Sequence, residues 1–585
     1  MLMSQTEHQR RVWLPVLVLL LLGLALYLPR LSASGLWDPW EPRYAQAARE
    51  MADADSWIVP QYRLDSRLNK PPLTYWLIAL AHSAVGVNET AARLPSALLA
   101  VLCAASLGFA FAARGRPLEG LVAGAALLTG PQWLLLGRFA TPDMPLASFL
   151  GIALALVLLL PSVAAPRHRR VVQLTIVVSI AAAALTDWPR GLLLPAWGVL
   201  GWSALRWGWK GVTGITAVAA LYHAGQLGYS IPLNVASFVL AALLLAWSLH
   251  ACAGLSLRAL AVGAVVLFVL VAPWFFLAYQ AEPEGMKIFT YKHGLNLGES
   301  VKQHTGPYSY VVRVVALGGM PWSAVAVIGL LAALRTRKDP MAGVLAGVWI
   351  GTTLFFTLSE AQMGHFYGVM QPALAGLAGI GTVSLVRKLD WSVVPAALTA
   401  LAIGLVAWKD PSRILETATV KRSLYGVDLS VAALVVLAWV LVLVAARLLR
   451  RESWVLATAV PAVVLAGTLG FVVVPQLEPK KSLRPMWNVY LEDREEGQPI
   501  GAVGQGKDSG YYYSDNAIVR LKRSDKIRAF LSDPGTKYLI GTSNALKQTI
   551  RMFPGQWEWL DRSHPTHHLV RYEPHPGDQP PVRGK

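Results

Sequence analysis

The sequence predicts a polytopic α-helical membrane protein that ends in a small extracytoplasmic α/β domain. Three observations predict it. Charge is scarce: 15% of the 585 residues are charged while 55% are hydrophobic, whereas a soluble domain carries about a quarter charged residues. Apolar runs recur from Val12 to Pro475, many of them near the roughly 17–25 residues that a bilayer-crossing helix needs. From Leu477 onward the sequence turns polar, and short strand-like and helix-like patterns alternate.

The apolar runs cover 12–29, 91–112, 117–136, 145–161, 171–187, 191–206, 211–227, 233–255, 259–279, 310–333, 340–358, 366–386, 392–408, 429–447 and 455–474. Several are short enough to be re-entrant or merged, so the expected count is about 13–15 spans. Leu14 to Leu28 resembles a signal-peptide core, but Pro29-Arg30 follows instead of a small-residue cleavage site, which predicts an uncleaved first span. Pro71 to Gly86 reads as a surface or half-buried helix.

Basic residues fix the expected orientation. Arg10-Arg11, Arg114 with Arg116, Arg167 with Arg169-Arg170, Arg206 with Lys210, Arg335 with Arg337-Lys338, Arg387-Lys388 and Arg447 with Arg450-Arg451 fall on alternate turns. The positive-inside rule then makes those turns and the N-terminus cytoplasmic. Loops 30–90, 137–144, 188–190, 280–309, 359–365 and 409–428 face outward, as does the tail. The net charge of +18 is thereby assigned to short loops and anionic lipid, and no nucleic-acid-binding signature is present. Cys103 and Cys252 sit inside apolar runs, so neither a disulfide framework nor a thiolate metal site is suggested.

Two domains follow: 1–474, with 30–90 as its first extracytoplasmic loop, and 475–585. In the tail, Ile500–Gly504, Ala517–Leu521, Lys537–Gly541 and His568–Tyr572 read as strands. Ser524–Asp533 and Asn544–Phe553 read as helices, with Ser524 and Asn544 as N-caps. The glycine pattern GAVGQG is discounted as a dinucleotide site because no following helix is expected.

Reactive side chains gather in the outward loops. The first carries WDPWEPRYAQAAREM (Trp37 to Met51), where Asp38 and Glu41, three apart, would share one helix face. A solvated juxtamembrane helix is the bland alternative. Arg43 and Tyr44 follow, then an NKPP turn from Asn69 to Pro72. Loop 137–144 is RFATPD, beginning at Arg138 and ending at Asp143; Thr141 or Asp143 would serve equally well as a helix cap. Loop 188–190 adds Asp187 and Arg190, loop 280–309 adds Lys292, His293, Glu299 and Lys302, and the region near 360 adds Glu360, His365 and Tyr367. Carboxylates that can take a proton, together with Lys, Arg and Tyr that suit a phosphate, point to one outward cavity. Pro71 and Pro72 hold Lys70 in a rigid turn; a lysine snorkelling at the interface is the alternative.

WDPWEPRYAQAAREM, NKPPLTYWLIAL, RFATPD, PWFFLAYQ…YKHGLNLGES, GGMPWS and HFYGVMQPALA, in that order, resemble the bacterial membrane glycosyltransferases of the aminoarabinose transferase and protein mannosyltransferase type, which have the GT-C fold. The resemblance covers nearly the whole chain. It implies transfer of a sugar, hexosyl or pentosyl, from a polyprenyl-phosphate (undecaprenyl-phosphate) carrier to a lipid, glycan or protein acceptor at the outer face of a bacterial inner membrane. It implies catalytic roles for Asp38, Glu41 and Asp143, and donor-phosphate contacts from Lys70, Arg43, Tyr44, Arg138, His293 and Tyr367. Trp40 stands where the family carries its middle Asp, so the base falls to Asp38 or Asp143. In some members of the family a metal lies between an acidic residue before KPP and the loop histidine. Here that acidic position is Asn69, so no cofactor is predicted and a divalent metal is the alternative; Asn296 likewise replaces an expected arginine. The alternatives are a transporter or flippase for a polyprenyl-linked glycan, which would more typically show internal repeats and mid-membrane charges that the sequence lacks, and a non-catalytic lipid-carrier-binding protein.

Overall fold

The structure is a computed structural model that describes residues 5–63, 65–207, 256–290, 309–336, 339–358, 363–387, 393–409, 430–449, 452–504 and 506–574. The runs at 211–227 and 233–255 lie outside the described residues. The first nine helices are α1 (Gln5–Tyr27), α2 (Trp40–Asp53), α3 (Leu73–Val85), α4 (Glu89–Ala113), α5 (Pro117–Thr129), α6 (Pro131–Gly137), α7 (Asp143–Leu159), α8 (Pro166–Thr186) and α9 (Arg190–Trp207). Among the described residues seven helices are long and apolar enough to cross a membrane, or nine if two bent pairs each count as one span. One bent pair is α5 with α6, where Gly130 and Pro131 break the helix by 63°. The chain is a multi-pass membrane protein.

Chain contacts divide the molecule into two compact units. The first comprises residues 1–29, 68–74 and 93–470. Its core is helical and rich in small residues: α9 packs along the helix Pro340–Leu358, and α5 along Gln371–Arg387. Gly201 and Gly347 let the former pair approach so closely that a Cβ on Gly201 would lie 2.0 Å from the Gly347 carbonyl oxygen. Small residues at helix crossings are how membrane helices gain packing without a hydrophobic driving force. The helix Leu257–Ala281 leaves Val262, Val265, Phe268 and Phe276 uncovered, a surface suited to lipid tails.

The second unit comprises 30–67, 75–92 and 471–585. The sequence grouped loop 30–90 with the spans; in the structure most of that loop packs with the tail instead. A five-stranded mixed sheet organises the unit, in the order β4 (Val519–Leu521), β3 (Ile500–Val503), β5 (Lys537–Thr542), β7 (His567–Glu573), β6 (Gln556–Asp561). β3 runs parallel to β4 and β5, and β7 pairs antiparallel with β5 and β6. β6, whose sequence QWEWLD alternates, was not anticipated. Nor were the helices Arg484–Asp493 and Asp508–Tyr513. Two caps differ from expectation. Ser524 lies inside its helix, which has no side-chain cap, and Thr542 rather than Asn544 caps the helix Ser543–Met552 by accepting from the Ala545 N–H. A short helix does follow GAVGQG, contrary to the sequence reading, but it begins with Asp508, a poor neighbour for a phosphate.

Candidate functional site

The predicted site residues fall into two groups, one within each unit.

In the first unit, Lys70 precedes α3 and Asp187 ends α8. Lys70 Nζ meets Asp187 Oδ1 at 2.6 Å, and Arg190, in the first turn of α9, pairs with Asp187 Oδ2. All three side chains are largely buried, and Asp187 is 2% exposed. Burial pulls the Lys70 ammonium below its ordinary value, against the opposing pull of Asp187. This lysine does not snorkel. The Arg190 guanidinium also lies 3.9 Å above the Phe366 ring, a cation–π contact that holds the charge in place.

Beside this cluster stand Asp143 and His365. α7 starts at Asp143 with Pro142 at its N-cap and no side-chain cap bond, so neither Thr141 nor Asp143 is spent on capping. The Asp143 carboxylate accepts no hydrogen bond among the described residues; its partner across a gap is His365 Nε2, 3.9 Å from Oδ1. Tyr367, two residues on, is fully buried between Tyr310 and Phe356, and its hydroxyl has no hydrogen-bond partner among the described residues.

Arg138 is a correction. Its guanidinium donates to the carbonyls of Leu26, Tyr27 and Pro29 at 2.9–3.0 Å. Leu26 and Tyr27 carry orphan carbonyls at the end of α1, where a cation also meets the helix dipole favourably, and Pro29 lies just beyond it. Arg138 therefore closes a helix end, with both terminal nitrogens of its guanidinium engaged. His293 lies outside the described residues, and so does the metal expectation that joined it to Asn69.

In the second unit the charged groups satisfy one another. α2 begins at Trp40, so Asp38 precedes the helix and shares no face with Glu41, contrary to the sequence reading. Both Asp38 oxygens accept from Ser509, Oδ1 from its N–H at 2.8 Å and Oδ2 from its hydroxyl. Burial pushes the Asp38 carboxyl up to about 6, partly offset by those bonds and by Lys507. Glu41 Oε2 accepts from the Trp37 N–H at 2.8 Å, closing the turn before α2. Asp508 collects Arg43 at 2.9 Å, Arg63 at 3.0 Å and the Tyr62 hydroxyl. Tyr44 is buried, stacked on Tyr75 with centroids 5.4 Å apart. Asp38 and Arg43 thus join the first loop to the tail, while Glu41 and Tyr44 hold the loop itself.

Asp187, Arg190 and His365 carry no role in the sequence reading beyond marking polar outward loops. The available signal was DWPR at 187–190, a carboxylate and a cation three apart between two apolar runs.

The order of helices and the polar cluster can now be set beside known proteins. ArnT from Cupriavidus metallidurans, solved bound to undecaprenyl phosphate, superposes with a TM-score of 0.66 over 95% of this chain and 97% of that one, at 20% identity. The chain has the GT-C fold. This GT-C protein matches the dolichyl-phosphate-mannose-protein mannosyltransferase family over residues 69–224, the stretch that holds Lys70, Asp143, Asp187 and Arg190. It is similar to undecaprenyl phosphate-alpha-4-amino-4-deoxy-L-arabinose arabinosyl transferase 2 of Pseudomonas fluorescens, 24% identical over 572 residues, 95% of this chain and 87% of the relative. It is 26% identical over 388 residues to the corresponding transferase of Pseudomonas paraeruginosa, 66% of this chain and 62% of that relative.

Proposed function

We propose that this GT-C protein is a glycosyltransferase that moves a sugar from a polyprenyl-phosphate carrier to a lipid, glycan or protein acceptor at the outer face of the bacterial inner membrane. The observation that carries the reading is the buried set Lys70–Asp187–Arg190 beside an Asp143 carboxylate that no hydrogen bond engages among the described residues. Two cations against one carboxylate leave one positive charge, which matches the single negative charge of a sugar phosphodiester. When the bond between the anomeric carbon and the phosphate oxygen breaks, its electron pair stays on the phosphate, whose charge grows toward two. Fixed cations therefore hold the transition state more strongly than the ground state. Asp143 takes the proton of the acceptor hydroxyl as that oxygen bonds to the anomeric carbon.

A pentosyl donor is the first to try, because the relative matched over 95% of the chain is named an arabinosyl transferase. Orientation is tested with single cysteines at Ser563 and Ser162, both exposed. Outer-face labelling at Ser563 and cytoplasmic labelling at Ser162 support the proposal; labelling of both from one side overturns the topology.

The test of the donor site is direct binding of polyprenyl phosphate in nanodiscs. Lys70→Ala should weaken it by about 1.5–3 kcal/mol, the cost of losing a charge-assisted hydrogen bond. Unchanged affinity in a folded variant would remove Lys70 from the site and much of the donor assignment with it.

A further inference from the structure

The motif GGMPWS has no role in the reading so far, and HFYGVMQPALA has one only through His365 and Tyr367. In the structure both converge on one buried amide pair. Gln132 Nε2 donates to the Gly364 carbonyl at 2.6 Å, and Gln371 Nε2 donates to Gln132 Oε1 at 2.6 Å. Both side chains are buried. Gly318 and Gly319 leave the space they need: a Cβ on Gly318 would come within 2.8 Å of Gln132 Oε1, and one on Gly319 within 3.1 Å of Gln371 Oε1. Burying two primary amides is costly unless they are paired, and this pairing ties them to the first residue of the 3-10 helix Gly364–Met370.

That short helix presents His365 and Phe366 to the charged cluster. His365 Nε2 faces Asp143 Oδ1 across 3.9 Å, and its ring lies 4.4 Å from that of Phe366, which in turn carries Arg190. The separation from Asp143 is longer than a hydrogen bond and short enough for a side-chain rotation to close.

Resting on the reading of Asp143 as the base, we propose that His365 is the positioning residue of Asp143 and the next stop for its proton, held at working distance by the Gln132–Gln371 clamp. The acceptor proton goes to Asp143 as the new glycosidic bond forms and the phosphate keeps the electron pair of the old one. The proton then passes from Asp143 to His365 Nε2 when the two side chains close to hydrogen-bond distance, which restores the carboxylate. Asp143, Asp187, Lys70 and Arg190 are the charged groups that face His365.

The experiment uses the full chain in nanodiscs and follows kcat, donor KM and polyprenyl-phosphate binding across pH. His365→Gln should lower kcat about 10-fold or more, the low end for a general-base partner, with donor KM and binding unchanged and one limb of the pH–kcat profile lost. Gln132→Leu should reproduce that change of profile with a smaller loss. Where it fails to accumulate, Gly319→Ala presses on the same clamp. Wild-type kcat and pH profile in His365→Gln overturn the inference. Asp143→Asn separates the two readings: if it is inactive while His365→Gln is unaltered, only this inference falls, and if it is fully active, the parent reading falls too.

Discussion

Asp143 and Asp508 are both carboxylates with little exposure, and their surroundings are opposite. Asp508 engages two guanidinium groups and a phenol. Asp143 accepts nothing among the described residues and has a histidine 3.9 Å away. A carboxylate saturated with donors is a joint, because its proton affinity and geometry are committed to the fold. A carboxylate left open is kept for something that arrives. The same contrast separates Arg138, spent on three carbonyls, from Lys70 and Arg190, which share a single counter-ion.

The sharpest way to break this comparison is to neutralise each carboxylate. Asp143→Asn should lower turnover of a polyprenyl-phosphate sugar about 10²–10⁴-fold while donor binding holds, the range for loss of a general base. Near-normal turnover would make Asp143 a joint like Asp508 and defeat the distinction.

Asp508→Ala should do the reverse. It leaves Arg43, Arg63 and Tyr62 without their acceptor, and a partly buried pair broken on one side costs about 2–3 kcal/mol, below the fully buried case because both arginines keep some solvent. Protease resistance of the second unit should fall while the folded fraction keeps its kcat. A loss of kcat without a loss of resistance would transfer Asp508 to the chemistry.

Asp38 sharpens the contrast by pH. Its carboxyl is raised in the fold, so the protonated form is the one the fold favours. Its contribution to stability is full below its ordinary value of 3.8 and is lost as pH rises through about 6. Wild type should therefore lose about 1–3 kcal/mol relative to Asp38→Asn across that window. The two proteins are compared by thermal unfolding at pH 4 and pH 7. Parallel curves would mean that the carboxyl is solvated and free to act as a base.

The fold was largely legible in the sequence. Span-length apolar runs and a polar tail with short alternating patterns are local signals, set by what a bilayer or a sheet requires of neighbouring residues. The site was legible only in part. Lys70 and Asp143 stand out in the sequence as candidates because a rigid KPP turn and a carboxylate at a span entrance are local signals. Arg138 looked the same from the sequence, and only the neighbouring helix end shows that it is occupied. Trp40 marks where α2 starts, and that start, not the spacing of Asp38 and Glu41, decides that they diverge.

The sequence by itself determined that the chain spans a membrane many times and ends in a small α/β domain, because hydropathy and turn chemistry act over a few residues. The tertiary structure alone decided which charges are spent and which are available. Lys70 reaches Asp187 across 117 positions and Asp38 reaches Ser509 across 471. An electrostatic interaction depends on distance in space and on the medium between the charges, and neither quantity is written in a stretch of neighbouring residues.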